Sequence, residues 1–126
     1  MALPPGFQVV LWTMALPYDS RGPGTYVSPA YANNDPDLPV SDLEILIYLG
    51  ELVGTPTLEY VLQSSPDGVT WSDMPGADGA LTALGSTACN VSGIGGGTYV
   101  QLSTEVVGSV DDRISYRALA LLFTTA

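Results

Sequence analysis

The sequence predicts an all-β protein, an antiparallel two-sheet β-sandwich of jelly-roll or immunoglobulin-like type. Three observations carry that expectation. Short segments in which apolar and polar residues alternate recur along the chain, the period of a strand with one buried face. Glycine and proline, 14 and 10 of 126 residues, punctuate those segments. No stretch reads as a convincing amphipathic helix, and many short strands with Gly/Pro turns are the pattern of a sandwich.

Phe7 to Met14 (FQVVLWTM) is dense in β-formers and reads as the first strand. The next stretch, Ala15 to Ser41, carries Pro17, Pro23, Pro29, Pro36 and Pro39 with Gly22 and Gly24. These exclude a helix and leave room for one short extended piece around Thr25 to Val27. Residues 15–41 are therefore expected to form an extended Pro/Gly-rich arm near the N-terminus of a single domain spanning 1–126. A structureless stretch of that length inside a compact domain is usually functional or disordered.

Asp42 to Leu49 (DLEILIYL) resumes the strand signal, with Leu43, Ile45, Ile47 and Leu49 on one face and Glu44, Leu46 and Tyr48 on the other. Residues 50–54 turn the chain. Thr57 to Gln63 then alternates, with Leu58, Tyr60 and Leu62 inward. Ser65-Pro66-Asp67-Gly68 is a turn with a mechanism: proline presets φ, aspartate bonds its own backbone and glycine accepts positive φ. Val69 to Met74 reads as the return strand, with Trp71 pointing at the core. Pro75 to Asn90 is built of small residues and offers one short strand, or a helical turn, around Leu81 to Leu84.

Val91 to Gly97 holds Gly93, Gly95, Gly96 and Gly97. A phosphate-binding loop would need a following helix and a nearby cation, and neither is present, so this reads as a hairpin loop. Thr98 to Val107 is a long alternating strand and residues 108–112 (GSVDD) a turn. Arg113 to Thr124 is the last strand. Its second half is apolar on both faces, so the strand is expected to be central, or covered by another element or subunit. The count is seven or eight strands.

Composition narrows the chemistry. Thirteen Asp and Glu stand against three arginines, with no Lys and no His, for a formal net charge of −10. Such a surface repels phosphate backbones and anionic membranes, so neither nucleic acid nor membrane is expected as a partner. No apolar run approaches a bilayer span, and no secretory signal is read at the start. Without His or Lys there is no Ser-His-Asp triad, Cys-His pair, Schiff-base lysine or His-ligated metal. A carboxylate-pair glycosidase would ordinarily need a larger scaffold with a deep cleft. The lone Cys89 reads as a small buried hydrophobe. Asp35 and Asp37 beside Asn33 and Asn34, or Asp111 with Asp112, could supply hard oxygen ligands but lack EF-hand spacing, and read as turn acids. The expectation is a non-enzymatic protein without cofactor or metal.

From Asp42 onward the chain resembles small virion proteins of tailed bacteriophages. The resemblance is carried by Asp42-Leu43-Glu44-Ile45, by residues 54–63 (GTPTLEYVLQ), by residues 65–71 (SPDGVTW), and by Tyr99-Val100-Gln101-Leu102 ahead of Val107-Gly108 and the last apolar strand. This pattern is similar to the β-sandwich of phage head decoration, or cement, proteins. The resemblance implies a protein made in the host cytoplasm that docks on the capsid exterior, partners the major capsid protein, forms a homo-oligomer (a trimer above all) and stabilises the shell. It brings no catalytic residues.

The residues themselves offer two binding surfaces. The 15–41 arm carries Tyr18, Arg21, Tyr26 and Tyr31, residue types favoured at interface hot spots, which either dock on a partner or cover the domain's own sheet edges. The last strand adds Leu119, Leu121 and Phe123 on a face that should otherwise be polar. Two alternatives stand beside decoration. One is a carbohydrate-binding module of a fibre or secreted protein, stacking sugars on Trp12, Trp71 and tyrosines. The other is a tail-tube, neck or head-completion protein.

Overall fold

The strand read at Asp42 runs past a register shift between Leu49 and Glu51 to Val53 and forms β4 (Asp42–Val53), whose Leu43, Ile45, Ile47 and Leu49 are all buried. In the computed structural model, which describes residues 8–33, 40–92, 94–95 and 97–125, the same logic builds the other strands. They are β1 (Gln8–Arg21), β2 (Gly24–Val27), β3 (Tyr31–Asn33), β5 (Thr57–Ser65), β6 (Ser72–Leu81), β7 (Gly85–Ser92), β8 (Thr98–Val107) and β9 (Arg113–Thr125). No helix occurs among the described residues.

Two antiparallel sheets face each other. Sheet A runs β1-β9-β4-β7; sheet B runs β2-β8-β5-β6, with β3 also on β8. The pairing is nested: β1 with β9, β2 and β3 with β8, β4 with β7, β5 with β6. That nesting, with β2 and β3 as one interrupted strand, is the jelly-roll arrangement. The core lies between the sheets. Sheet A contributes the β4 residues with Ile114, Tyr116, Ala118, Ala120 and Leu122. Sheet B contributes Leu58, Tyr60, Leu62, Val100, Leu102 and Val106. The last strand is central, between β1 and β4, which explains its apolar run.

Four sequence expectations need correction. The extended arm or loop expected at 15–41 is, over its described residues, largely sheet edge. β1 runs through to Arg21, with a register shift between Leu16 and Asp19 that absorbs Pro17. A bulge on an edge strand tolerates a residue without an N–H. The β8 edge takes up β2 and β3, and Pro29 breaks the ladder between them. Ser28 repairs the break: its N–H donates to the Leu102 carbonyl (2.9 Å) and its hydroxyl accepts from the Leu102 N–H (2.9 Å). Asn33 ends the segment as a buried clamp. Its side-chain oxygen accepts from the Val40 N–H (2.8 Å), and its amide donates to the Val40 and Gly95 carbonyls (3.0 Å each). Asn34, Asp35, Pro36, Asp37 and Pro39 lie outside the described residues.

Second, the stretch 75–90 forms most of two strands, β6 and β7. Their small residues hide the pattern. At Gly79 a Cβ would stand 2.5 Å from the Tyr60 hydroxyl, so the position opposite Tyr60 must be bare. On β7, half-buried Thr87, Cys89 and Val91 alternate with exposed Ser86, Ala88 and Asn90, as on an edge strand. Cys89 is therefore half-buried, not buried. Third, Trp71 is half-buried and precedes β6. Fourth, β7 extends to Ser92, so the glycine-rich loop is shorter than read; Gly93 and Gly96 lie outside the described residues.

The 65–68 turn behaves as read. Asp67 accepts from the Val69 and Thr70 N–H groups (2.8 and 2.9 Å), and Gly68 takes φ +77. Those bonds, Thr70 first, then Val69 and the Ser65 hydroxyl, hold the Asp67 carboxyl below the ordinary carboxylate range. The turn is therefore fully capped at neutral pH and loses its acceptor as pH falls through that depressed value. Amide exchange at Val69 and Thr70 should rise in acid beyond the intrinsic pH trend, and Asp67→Asn should remove that pH dependence.

Tyr116 shows the opposite sign. Burial raises its pKa above the ordinary 10.0, against the lowering effects of Thr104 and Arg21. Its contribution is intact below 10.0, the unfolded value, and is lost as pH rises through the folded value. Tyr116→Phe should cost about 1 kcal/mol at neutral pH through the lost hydroxyl bond. Its alkaline decline in urea-unfolding free energy should nevertheless be shallower than that of the native chain.

Candidate interaction surface

The seven residues singled out from the sequence separate into two places. Arg21 and Tyr26 turn inward. Arg21 is 8% exposed, and its guanidinium lies 4.6 Å from the Tyr116 ring centroid and 5.6 Å from that of Tyr26. It donates to the carbonyls of Tyr116 (2.8 Å) and Pro17 (2.6 Å). Tyr26 is half-buried against the core and donates its hydroxyl to the Gly22 carbonyl (2.7 Å). Half-buried Tyr31 packs on the core as well. These three residues hold the fold together. The hot-spot reading of the arm misses this because composition cannot tell an inward arginine from an outward one.

Tyr18, Leu119, Leu121 and Phe123 do come together, on the outer face of sheet A. Register defines that face. Ala15 pairs Leu119, Leu119 pairs Leu46, and Leu46 pairs Ala88, so one row of apolar side chains crosses all four strands. In the next row Leu121 lies opposite Glu44; beyond it Phe123 lies opposite Asp42. On the other side of the central row, Arg117 lies opposite Tyr48 with its guanidinium 5.4 Å from that ring centroid. Tyr18 and Tyr48, 52% and 41% exposed, stand 6.2 Å apart and tilted at 33°. Tyr18 lies over Gly50, where any Cβ would meet its ring.

An outer sheet face in water should be polar at alternate positions. Here Leu46, Leu119, Leu121 and Phe123 occupy those positions, all half-buried by their neighbours, with no layer above them among the described residues. Leu46 and Tyr48 are the contributors that the residue reading did not single out. Their signal was present in DLEILIYL, whose second face is also largely apolar.

The outer face of sheet B is the opposite in character. A groove of about 720 Å³ runs over it, lined by Glu59, Val61, Asp73, Asp78, Ser103 and Glu105 among others. Glu59 stands directly opposite Glu105 across the β5–β8 pair, an unfavourable like-charge pairing. All three arginines lie in β1 and β9, so sheet B carries no positive side chain to offset these carboxylates. Among the described residues Tyr60 is the one aromatic lining this groove, and it is buried. No grouping of acidic or cysteine side chains among the described residues has the geometry for a metal ion. Asp112 is committed to its turn, where Asp112 accepts from the Ser109 N–H at 3.0 Å.

No family model matches the chain, and no curated protein sequence does. Among solved structures it is similar to the PBSX exported protein XepA, at TM-score 0.64 and 15% identity, covering 96% of this chain and 38% of that one. The two share a fold. This chain thus corresponds to well under half of XepA. TmCBM61, solved with beta-1,4-galactotriose, overlays at TM-score 0.44 and 14% identity, over 89% of this chain and 68% of that one. FLHE overlays at 0.40 and 14%, over 93% and 97%. At those scores neither bears on function. No helix among the described residues is long and apolar enough to cross a membrane.

The interior role of Arg21 can be tested directly. Lysine cannot reproduce a flat cation that lies against ring faces while donating to two carbonyls. Arg21→Lys and Arg21→Ala should each lower the urea-unfolding free energy by roughly 2 kcal/mol or more. Arg113→Ala, at an exposed bond to Ser20, should change it by no more than about 1 kcal/mol.

Proposed function

We propose that this chain is a non-catalytic structural protein of a phage particle, of the capsid-decoration kind. The outer face of sheet A is the face through which it is built into its assembly, and the acidic face of sheet B is presented outward. The uncovered apolar row Ala15–Leu119–Leu46–Ala88, extended by Leu121 and Phe123, carries this reading. Apolar surface of that extent in water is unfavourable, and its burial against a neighbouring subunit is the ordinary resolution. The flanking tyrosines and Arg117 are the side chains that anchor such interfaces. The fold shared with XepA, a PBSX phage exported protein, points to the same setting.

A carbohydrate-binding role would draw on the groove of sheet B. Sugar platforms rely on exposed aromatic faces, and the one aromatic in the groove lining is buried. Trp71 is half-buried and not part of that lining; the Trp12 side chain lies outside the described residues. The apolar face therefore favours docking over glycan binding.

The test is co-sedimentation of the purified chain with expanded capsids of the phage that encodes it. Native protein should bind and raise the temperature at which the shell opens. Combined Leu119→Glu and Leu121→Glu, at half-buried outer positions, should keep the circular dichroism of the sandwich and reduce occupancy at least about tenfold. A native chain with no affinity for any capsid or capsid-protein assembly overturns the reading.

A further inference from the structure

We propose that the free edge of β7 takes up an extended segment of a different protein as a fifth strand of sheet A, and that this segment alternates apolar with basic residues. The site lies along the side of the sandwich, apart from the face assigned to docking.

The two sheets leave four edges, at β1 and β7 in sheet A and at β6 and the interrupted β2–β3 in sheet B. Three of them are blunted. β1 has Pro17 and two register shifts. β2 and β3 are four and three residues long, with Pro29 between them. β6 holds Pro75, a register shift and the carboxylates of Asp73 and Asp78. These are devices by which sheets keep their edges from pairing. β7 has none of them. It pairs β4 through eight consecutive residues, from Ser92 opposite Asp42 to Gly85 opposite Leu49, without a shift. It contains neither proline nor charge, and its other edge has no partner strand among the described residues. Such an edge presents unpaired N–H and C=O groups in a regular row, which is what an added strand requires.

The two long sides of the sandwich are finished differently. Where β1 and β2 meet, Arg21 lies across the gap against the rings of Tyr26 and Tyr116. Where β6 and β7 meet, Leu81, Cys89 and Val91 pack on the core but are only half-buried. A strand laid on β7 turns every second side chain toward that gap, so apolar residues at those positions complete the flank of the core. Its other side chains stand beside exposed Ser86, Ala88 and Asn90.

Charge sets the chemistry of that second row. Glu44 lies opposite Asn90, and Asp42 opposite Ser92. With Phe123 they border a hollow of about 350 Å³ at this corner of the sheet. The added strand is two strand spacings, about 10 Å, from β4, a gap that a lysine or arginine and a glutamate span between them across Asn90. All three arginines of the chain lie in β1 and β9, and it has no lysine. A second copy pairing through its own β7 would bring no cation to Glu44 and a further formal charge of −10. A basic segment of another protein is therefore the complementary occupant.

An end-capped, fluorescein-labelled peptide of nine residues, valine alternating with lysine, tests this on the full chain. Its anisotropy should saturate at one peptide per chain, and amide exchange should slow in β7 but not in β6. N-methylating the peptide's backbone amides keeps its charge and removes its donors, and should abolish binding. Replacing its lysines with glutamate should weaken binding at least about tenfold, and Glu44→Lys should do the same to the lysine peptide. The Glu44→Lys chain should in turn bind the glutamate peptide more tightly than the native chain does.

Binding that survives N-methylation is attraction to an acidic surface alone and overturns the proposal. Protection that falls on sheet B, or no saturable binding, overturns it as well. Protection of β7 that rises with concentration in the absence of peptide overturns it in favour of a second copy. No capsid enters the experiment, so its failure and that of the docking reading are distinguishable.

Discussion

The cation of Arg21, buried between two aromatic rings, is the constraint on which the architecture turns. An arginine cannot shed its proton, so its charge must be met where it lies. Carbonyl oxygens of Pro17 and Tyr116 and the faces of Tyr26 and Tyr116 meet it. The network then crosses the core. The Tyr116 hydroxyl and the Thr104 hydroxyl are 2.6 Å apart, and Thr104 donates to the Tyr26 carbonyl at 2.9 Å. Tyr116 belongs to sheet A, Thr104 and Tyr26 to sheet B. A satisfied polar chain of this kind fixes the relative position of two sheets in a way that non-directional apolar contact does not.

That network also governs what the proline-rich segment becomes. Arg21 secures the end of β1, and Tyr26 secures β2 four residues after Gly22. Ser28 then supplies bonds to Leu102 beside Pro29, and Asn33 bonds Val40 and Gly95 at the end of β3. The segment is consequently spent on the domain's own edge. The uncovered apolar residues lie instead on the outer face of sheet A, where β9, flanked on both sides, presents Leu119, Leu121 and Phe123 beside Leu46.

The two outer faces divide the chain's chemistry. Every arginine lies in sheet A, while the charged residues lining the groove of sheet B are, among the described residues, all carboxylates. A sandwich whose faces differ this much is not symmetric in its dealings with neighbours. One face would gain by burial, whereas like charges on the other repel a second such face. The Glu59–Glu105 opposition is tolerated because both side chains stay in water, where screening is strong.

Much of this was legible beforehand. The inward faces of β4, β5 and β9 follow from alternation of large residues such as Ile45, Tyr60 and Tyr116, and the turn at Asp67 follows from its own hydrogen bonds. So do the all-β class and the excess of apolar residues on the last strand. β6 and β7 escaped because Gly79, Ala80 and Ala88 have too little side chain to show a period. Tertiary pairing, with Tyr60 filling the space over Gly79, makes them strands. The direction of Arg21, the nested pairing that distinguishes a jelly roll from an immunoglobulin-like sandwich, and the assembly of Leu46, Tyr18 and Leu119 on one face were decided only in three dimensions. A sequence specifies which residues a strand turns to each side; which strands become neighbours, and so which side is left uncovered, depends on contacts between residues as far apart as Ala15 and Leu119.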